Sequence, residues 1–448
     1  MKVMLVFPPL SAQERYGKHT TNLGSLPPLG LCYMAAVLEK AGHTVKITDC
    51  PVNGFTLEDV KKDIAEFSPD WVGLSAITSL VARASELCAM IRKDFPNIKI
   101  LVGGSHATVM PEETLALSGA DIVISGECED VLVDIIEHPE RFPKIVRCAP
   151  VRDLDSLPFP ARHLLDMSKY TSLPNNYKRS PNVFQVFATR GCPYVCTFCA
   201  SANGKFRQRS VKNVISEINL LIANYGIKEI VFWDDIFTLN KQWVHDFCDT
   251  LIKEKIDIAW SCETRLDLID EPLVKKMKQA GCWNMFFGIE SGNQELLDNI
   301  RKKTTLELIR KGVRLVKGAG IEVRGSFMFG LPGETLEMAH KTIDFAIELD
   351  PDYAQFSLTT PFPGTELSKT YEQFGVLNKD FKQYNVWMPV FLPSGYSTIE
   401  ELQNVHRLAF RRFYLRPRYI IKKIMKIRNF GDLRRNIAGF KFLAGFTN

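Results

Sequence analysis

Apolar positions along the chain fall in short unbroken runs, with stretches of helical spacing between them. The runs Val3 to Phe7, Thr44 to Thr48, Trp71 to Ser75, Ile98 to Val102 and Asp121 to Ile124 read as strands, and Leu29 to Ala41 and Leu80 to Phe95 as helices. Strands alternating with helices predict a parallel sheet covered on both faces, with ligands bound beyond the carboxyl ends of the strands. Periodicity is lost over 141–182, where Pro150, Pro158, Pro160, Pro174 and Pro181 crowd together, and that stretch reads as a linker. Alternation resumes with strands over Val183 to Ala188, Glu229 to Trp233, Ile258 to Thr264, Trp283 to Ile289, Glu322 to Phe329 and Tyr353 to Thr359. Helical patterns over Val211 to Asn224, Lys241 to Lys253 and Glu271 to Ala280 separate them. The expected class is α/β. A Rossmann-like domain covers 1–140, a linker 141–182, a partial (β/α)6 barrel 183–380 and a helical extension 381–448.

The candidate chemistry starts from Cys192, Cys196 and Cys199, in Thr-Arg-Gly-Cys-Pro-Tyr-Val-Cys-Thr-Phe-Cys-Ala. A closed structural zinc site takes four ligands and an iron–sulfur cubane normally four thiolates. Three thiolates leave one metal position open for a substrate, and His163 and His245 are too distant in sequence to be obvious fourth ligands. The cysteines follow a predicted strand directly, at the rim where barrels of this kind carry their chemistry. In the first domain the strand ends bear Ser75, then Gly103-Gly104-Ser105-His106-Ala107-Thr108, then Gly126-Glu127. Paired glycines there let a ligand approach the backbone; equally, they serve as turns.

Composition narrows the setting. The chain has 448 residues, a formal charge of +5 and 11 scattered cysteines, which argues against a secreted disulfide framework and for a reducing compartment. The amino terminus shows no signal peptide, and no apolar run reaches the roughly 18 to 20 residues of a spanning helix. A cytoplasmic protein, soluble or peripheral to a membrane, is expected. Charge is unevenly spread: residues 401–448 hold twelve Lys or Arg against Glu401 and Asp432. Bases interleave with bulky apolar residues from Arg411 to Arg428 at helical spacing. That pattern suits a membrane surface, an anionic lipid or an acidic partner, or else a helix packed on the barrel with its charged face solvated. No nucleic-acid motif accompanies it.

The spacing Cys192-x-x-x-Cys196-x-x-Cys199, with Phe198 before the last cysteine, resembles the radical S-adenosylmethionine (SAM) superfamily. The resemblance implies a [4Fe–4S] cluster whose open iron chelates SAM, reductive cleavage of SAM to a 5′-deoxyadenosyl radical, and an electron donor such as flavodoxin or ferredoxin. It further implies Asp234 or Asp235 as acceptor for the SAM amino group, although either is also a candidate helix cap. Glu263, Glu290 and Ser291 become candidates for the ribose or amino group. Arg265 and Lys302 become candidates for the SAM carboxylate or, alternatively, ion-pair partners. The stretch Gly325-x-x-Met328-x-Gly330 resembles the turn that packs on adenine.

Pro27-Pro28-Leu29-Gly30, Pro69-Asp70-x-Val72-Gly73-x-Ser75 and Gly103-Gly104-Ser105-His106 resemble the cobalamin-binding domains fused upstream of such barrels. This implies Ser75, Gly103, Gly104, His106, Thr108, Gly126 and Glu127 as cobalamin contacts, with His106 alternatively a structural histidine. The Asp-x-His-x-x-Gly motif that gives cobalt a histidine is absent. The family implied is that of cobalamin-dependent radical SAM methyltransferases and anaerobic magnesium-protoporphyrin monomethyl ester cyclases. The expected activity is methylation of an unactivated centre of a hydrophobic metabolite or lipid. The alternatives are an oxidative cyclisation or a non-catalytic cobalamin or redox sensor. Methylthio transfer would need a second cluster, and Cys32, Cys50, Cys88 and Cys128 form no obvious site for one.

Overall fold

A computed structural model describes residues 1–11, 24–173 and 176–427, together with Leu433 and Ile437. Strands β1 Lys2–Phe7, β2 Thr44–Asp49, β3 Trp71–Ser75, β4 Lys99–Gly103, β5 Ile122–Ser125 and β6 Ile145–Arg147 form one parallel sheet in the order β2-β1-β3-β4-β5-β6. Alternate residues of a strand face opposite sides. Val3 and Leu5 accordingly enter one core with the Leu29–Lys40 helix, while Met4 and Val6 enter another with the Val81–Asp94 helix. Both faces being buried explains the unbroken apolar runs.

The second sheet is built from β7 Phe184–Val186, β10 Glu229–Phe232, β11 Ala259–Thr264, β12 Cys282–Glu290, β13 Glu322–Phe329 and β14 Tyr353–Leu358. All are parallel, in the order β14-β13-β12-β11-β10-β7, and β7 and β14 stay unpaired with one another. Helix starts follow local chemistry: the Ser210, Asn240, Asp270, Thr305 and Thr335 side chains each accept a backbone N–H in the first turn of the next helix. Two short ribbons, β8 Thr189–Arg190 with β9 Arg207–Gln208 and β15 Gly375–Leu377 with β16 Phe391–Pro393, complete the strands. An open edge leaves backbone groups unpaired. The Ile399–Tyr414 helix covers the β14 edge: the Tyr414 hydroxyl accepts from the Ala354 N–H (3.0 Å) and donates to the Ala354 carbonyl (2.7 Å), and the His406 ring lies 2.9 Å from the Phe356 carbonyl.

The stretch 141–182 departs from a linker. It contributes β6 to the first sheet, then runs as a buried strap. Arg162 is 2 % exposed, donates to the Gln185 carbonyl (2.6 Å) and pairs with Glu217 (2.8 Å), which also holds Arg209 (2.5 Å). Tyr170 donates to Asp49 (2.9 Å). Prolines had masked the strand, because three residues on a sheet edge carry too little pattern to detect. Of the C-terminal region, the Pro417–Met425 helix is described, while 428–448 lies outside the described residues apart from Leu433 and Ile437.

Candidate active site at the facing carboxyl edges

The cysteines sit on a loop closed by the β8–β9 ribbon. Gly191 has φ +82°, and a side chain there would run into the Lys205 carbonyl. The Gly204 and Asn203 N–H groups donate back to the Cys192 and Tyr194 carbonyls (2.8 and 2.7 Å), so the loop returns on itself. Its far side is tied down by Thr197 N–H to the Ile300 carbonyl (3.1 Å) and Leu367 N–H to the Thr197 carbonyl (2.9 Å). Burial raises the Cys192 thiol, and raises Cys199 to about 11; charge on the neighbouring cysteines and Asp235 adds to both. The three sulfurs therefore share one electrostatic neighbourhood. Among the described residues no three His, Cys, Asp or Glu side chains converge as a single bound ion requires. A cubane asks less, since each thiolate takes its own iron, and three thiols on one folded-back loop fit that demand. Bound iron would draw the thiols to thiolate.

The expected SAM residues divide into those that face the site and those the protein uses for itself. Asp235 is exposed beside the loop and accepts from Ser201 Oγ (2.8 Å). Glu263 lines the barrel interior, where burial raises its carboxyl to about 7; the Arg324 guanidinium opposes that rise and Asp235 adds to it. Register places Glu263, Phe286 and Arg324 in one row across β11, β12 and β13, and Arg324 lies 5.4 Å from the Phe286 ring centroid. Lys302 and Glu290 form a buried pair (2.6 Å). Glu290 holds φ +67°, and a side chain on Gly288 would strike both partners. Met328 is half-buried, and Gly330, at φ +81°, donates its N–H to Glu334 (2.8 Å).

Three expected contacts are already committed. Asp234 accepts from the Ala188 N–H (3.0 Å) and from the Thr189 N–H and hydroxyl, holding the strand end before the cysteine loop, and burial raises its carboxyl to about 7. Arg265 is bidentate to Asp267 (3.0 and 2.9 Å), donates to the Lys302 carbonyl (2.7 Å) and stacks on Tyr194 of the loop (3.9 Å). The Ser291 hydroxyl accepts from the Asn293 N–H (3.1 Å) and lies 3.1 Å from the Thr342 hydroxyl. Asp234 and Arg265 thus position the loop, and Ser291 organises the turn after β12.

On the first sheet Ser75, Gly103 and Gly126 end the adjacent strands β3, β4 and β5 or directly follow them, so the expected cobalamin residues do share one edge. Gly104, at φ +113°, lies where a side chain would meet the Ala76 backbone. Thr108 donates to the Gly104 carbonyl (2.9 Å) and accepts the Gly126 N–H (3.2 Å), knitting the loops together. His106 is fully buried, 3.3 Å from the Thr78 hydroxyl, with its ring edge-on to Phe381 (5.0 Å). Its Nε2 has no partner among the described residues, and burial lowers its pKa. That unpaired nitrogen and the open glycine edge fit a polar cofactor at this crevice.

Glu127 is committed to partners beyond the first sheet. Its carboxylate accepts from both terminal nitrogens of Arg207 (2.7 and 2.6 Å), from Arg190 (3.1 Å) and from the Val151 N–H (3.0 Å). Glu129 takes Arg190 as well (2.7 Å). Arg190 and Arg207 pair across the ribbon that closes the cysteine loop, so one carboxylate of the first domain grips both stems of that loop. Sequence reading missed Arg190, Arg207 and Arg324. Arg324 was detectable as a base amid the alternating run Glu322 to Phe329; the latch arginines carried no such signal.

Residues 20–136 match the B12 binding domain model and residues 186–346 the radical SAM superfamily model. An uncharacterized methyltransferase of Pyrococcus horikoshii is 36 % identical over 462 aligned positions, 98 % of each chain. The anaerobic magnesium-protoporphyrin IX monomethyl ester cyclase of Rubrivivax gelatinosus is 29 % identical over 89 % of this chain and 75 % of its own. Among solved structures, the radical SAM methyltransferase TsrM of Kitasatospora setae, with cobalamin and a [4Fe–4S] cluster bound, superposes with a TM-score of 0.70 at 16 % identity, covering 99 % of this chain and 98 % of its own. That last likeness is one of fold.

Proposed function

Because the chain belongs to the B12-binding radical SAM family, we propose that it is a methyltransferase acting on an unactivated centre of a small molecule. It is a radical SAM enzyme, and its cofactors are a [4Fe–4S] cluster, SAM and cobalamin. When bound, the cluster supplies the electron that splits SAM, and cobalamin supplies a carrier for the methyl group. Cys192, Cys196 and Cys199 would hold the cluster. Asp235, exposed and steadied by Ser201, is suited to accept the SAM ammonium. The buried Lys302–Glu290 pair offers one donor and one acceptor to the polar end of the same molecule. Gly330 and Met328 form an apolar, side-chain-poor surface for the adenine. Glu263 and Arg324, in one row of the barrel, offer a carboxyl group and a guanidinium to a substrate beneath SAM, where the β-strand wall excludes water.

The observation that carries this reading is the latch of Glu127 on Arg190 and Arg207. It ties the cobalamin-domain edge to the cluster loop, which methyl delivery between the two cofactors requires. The full-length similarity to a methyltransferase favours methyl transfer over cyclisation. The test is anaerobic reconstitution with iron, sulfide and hydroxocobalamin, followed by dithionite and SAM. 5′-Deoxyadenosine together with S-adenosylhomocysteine is the expected outcome. 5′-Deoxyadenosine without S-adenosylhomocysteine, at full cobalamin loading, would favour the cyclase-like alternative. Cys196→Ala should form neither product; SAM cleavage that survives this change removes the assignment.

A further inference from the structure

The Pro417–Met425 helix is amphipathic in the inverse sense to that expected. Its lysines, with Lys426 at its end, turn inward, toward the amino ends of β13 and β14. Lys426 reaches Asp352 (2.8 Å) and Glu322 (3.0 Å), Lys422 reaches Asp350 (3.2 Å), and Lys423 lies 3.5 Å from the Tyr353 ring centroid. The apolar side chains turn outward: Ile420, Ile421, Ile424 and Met425 are 40, 56, 60 and 79 % exposed. The solvated charged face expected from sequence is therefore corrected. Acidic residues on the barrel floor claim the lysines, leaving the isoleucines uncovered. An exposed apolar face of this kind marks an interaction surface.

Charge beside that face selects the occupant. Arg418 is exposed one turn before Ile421, on the stripe that continues to Met425. A recess of about 560 Å³ adjoins it, lined by Arg314, Lys317, Arg416 and Arg418 against Glu348 and Asp350. A second copy docking about a two-fold axis through the stripe would bring the exposed Arg418 near its own counterpart. An apolar strip rimmed by cations matches an anionic bilayer, whose interface takes both.

We propose that this face docks on an anionic phospholipid surface, with Ile420, Ile421, Ile424 and Met425 in the interface and a lipid phosphate in the arginine-lined recess. The surface lies outside the active site, so the proposal stands apart from the assigned reaction. Flotation of the full chain with vesicles of phosphatidylcholine, alone or mixed with phosphatidylglycerol, tests it. The expected result is flotation with the mixed vesicles only, weakened by high salt. A triple change, Ile421→Ser, Ile424→Ser and Met425→Ser, should lower vesicle partitioning at least about tenfold, and Arg418→Glu should lower it too; circular dichroism and SAM cleavage of both variants should match the parent. No flotation with mixed vesicles, or equal flotation of the triple variant, overturns the proposal. A concentration-dependent dimer abolished by the triple change overturns it as well, in favour of self-association.

Discussion

Removing the Glu127 carboxylate should weaken the cluster loop from the neighbouring domain. Glu127 is about a quarter exposed and Arg207 only 8 %, so Glu127→Ala strips a nearly buried guanidinium of its bidentate partner. Arg207 keeps the Val151 carbonyl (2.7 Å), and Arg190 keeps Glu129. Breaking a fully buried pair costs about 3–5 kcal/mol; water entering at the exposed side of Glu127 reduces this to roughly 2–4 kcal/mol. Glu127→Gln, which retains an acceptor and the shape, should cost about half as much. Urea unfolding reads the stability loss, and iron content after reconstitution reads the loop. A double-mutant cycle with Arg207→Met isolates the pair. Glu127→Ala unfolding within about 0.5 kcal/mol of the parent, with full iron loading, would refute the latch. A fall in cobalamin retention at unchanged iron content would instead return Glu127 to the cobalamin site.

Lys302→Met leaves Glu290 buried without its partner and should cost about 3–5 kcal/mol in urea unfolding. Adding Glu290→Met should recover most of that stability while SAM binding, read by equilibrium dialysis, stays weak. Glu334 is fully buried, accepts from Gly330 and Tyr396, and is raised by burial from 4.5 to about 7. Its folded form thus holds a proton that the unfolded chain releases, so this group stabilises below pH about 4.5 and loses that contribution as pH rises through about 7, roughly 3 kcal/mol in all. Glu334→Gln should flatten the fall in unfolding free energy between pH 5 and 8, measured by urea titration at each pH; an unchanged slope would mean that Glu334 is ionised in the fold.

Element positions were largely legible because both sheets are parallel and doubly covered. β3 and β13 run over the residues their apolar pattern marks, as does the Lys241–Lys253 helix, whose start carries its own Asn240 cap. The rim positions were legible too, since chemistry at a strand's carboxyl end is fixed by the fold. Side-chain direction was not. Asp234 and Asp235 are neighbours in sequence, yet one is sealed against Thr189 and the other faces the cysteine loop. Arg265 looks like a carboxylate binder until Asp267, two residues on, occupies it. The lysines of the Pro417–Met425 helix gave the right amphipathicity with the wrong side outward, because the acids that attract them, Asp350 and Asp352, come from the turn before β14, about 70 residues earlier. Asp234 and the lysines are claimed by partners distant in sequence, of which local pattern carries no record, while Arg265 is claimed by a near neighbour whose direction the pattern does not give.

The strand hidden among the prolines explains why the latch is rigid. β6 pairs with β5, and Cys148 N–H donates to the Ser125 carbonyl (2.7 Å) just beyond it. Gly126 follows at φ +103°, and a side chain there would lie on the Cys148 carbonyl oxygen. Only glycine lets the chain turn so sharply against β6 and deliver Glu127 to the two arginines. The turn has nowhere to retreat, since the Val151 N–H beyond β6 binds the Glu127 carboxylate itself. Gly126→Ala should therefore cost about 2–4 kcal/mol, from the left-handed backbone and the overlap together. Because relieving the overlap also displaces Glu127, the two costs should add only in part: the double variant should lose more than either single one but less than their sum. Iron loading should fall in all three variants. Additive losses, or a Gly126→Ala protein that loads iron fully, would show that β6 and the cluster loop are independent. The two cofactor domains would then be held together through the buried Arg162 strap, the Arg190–Glu129 pair and the His106–Phe381 contact.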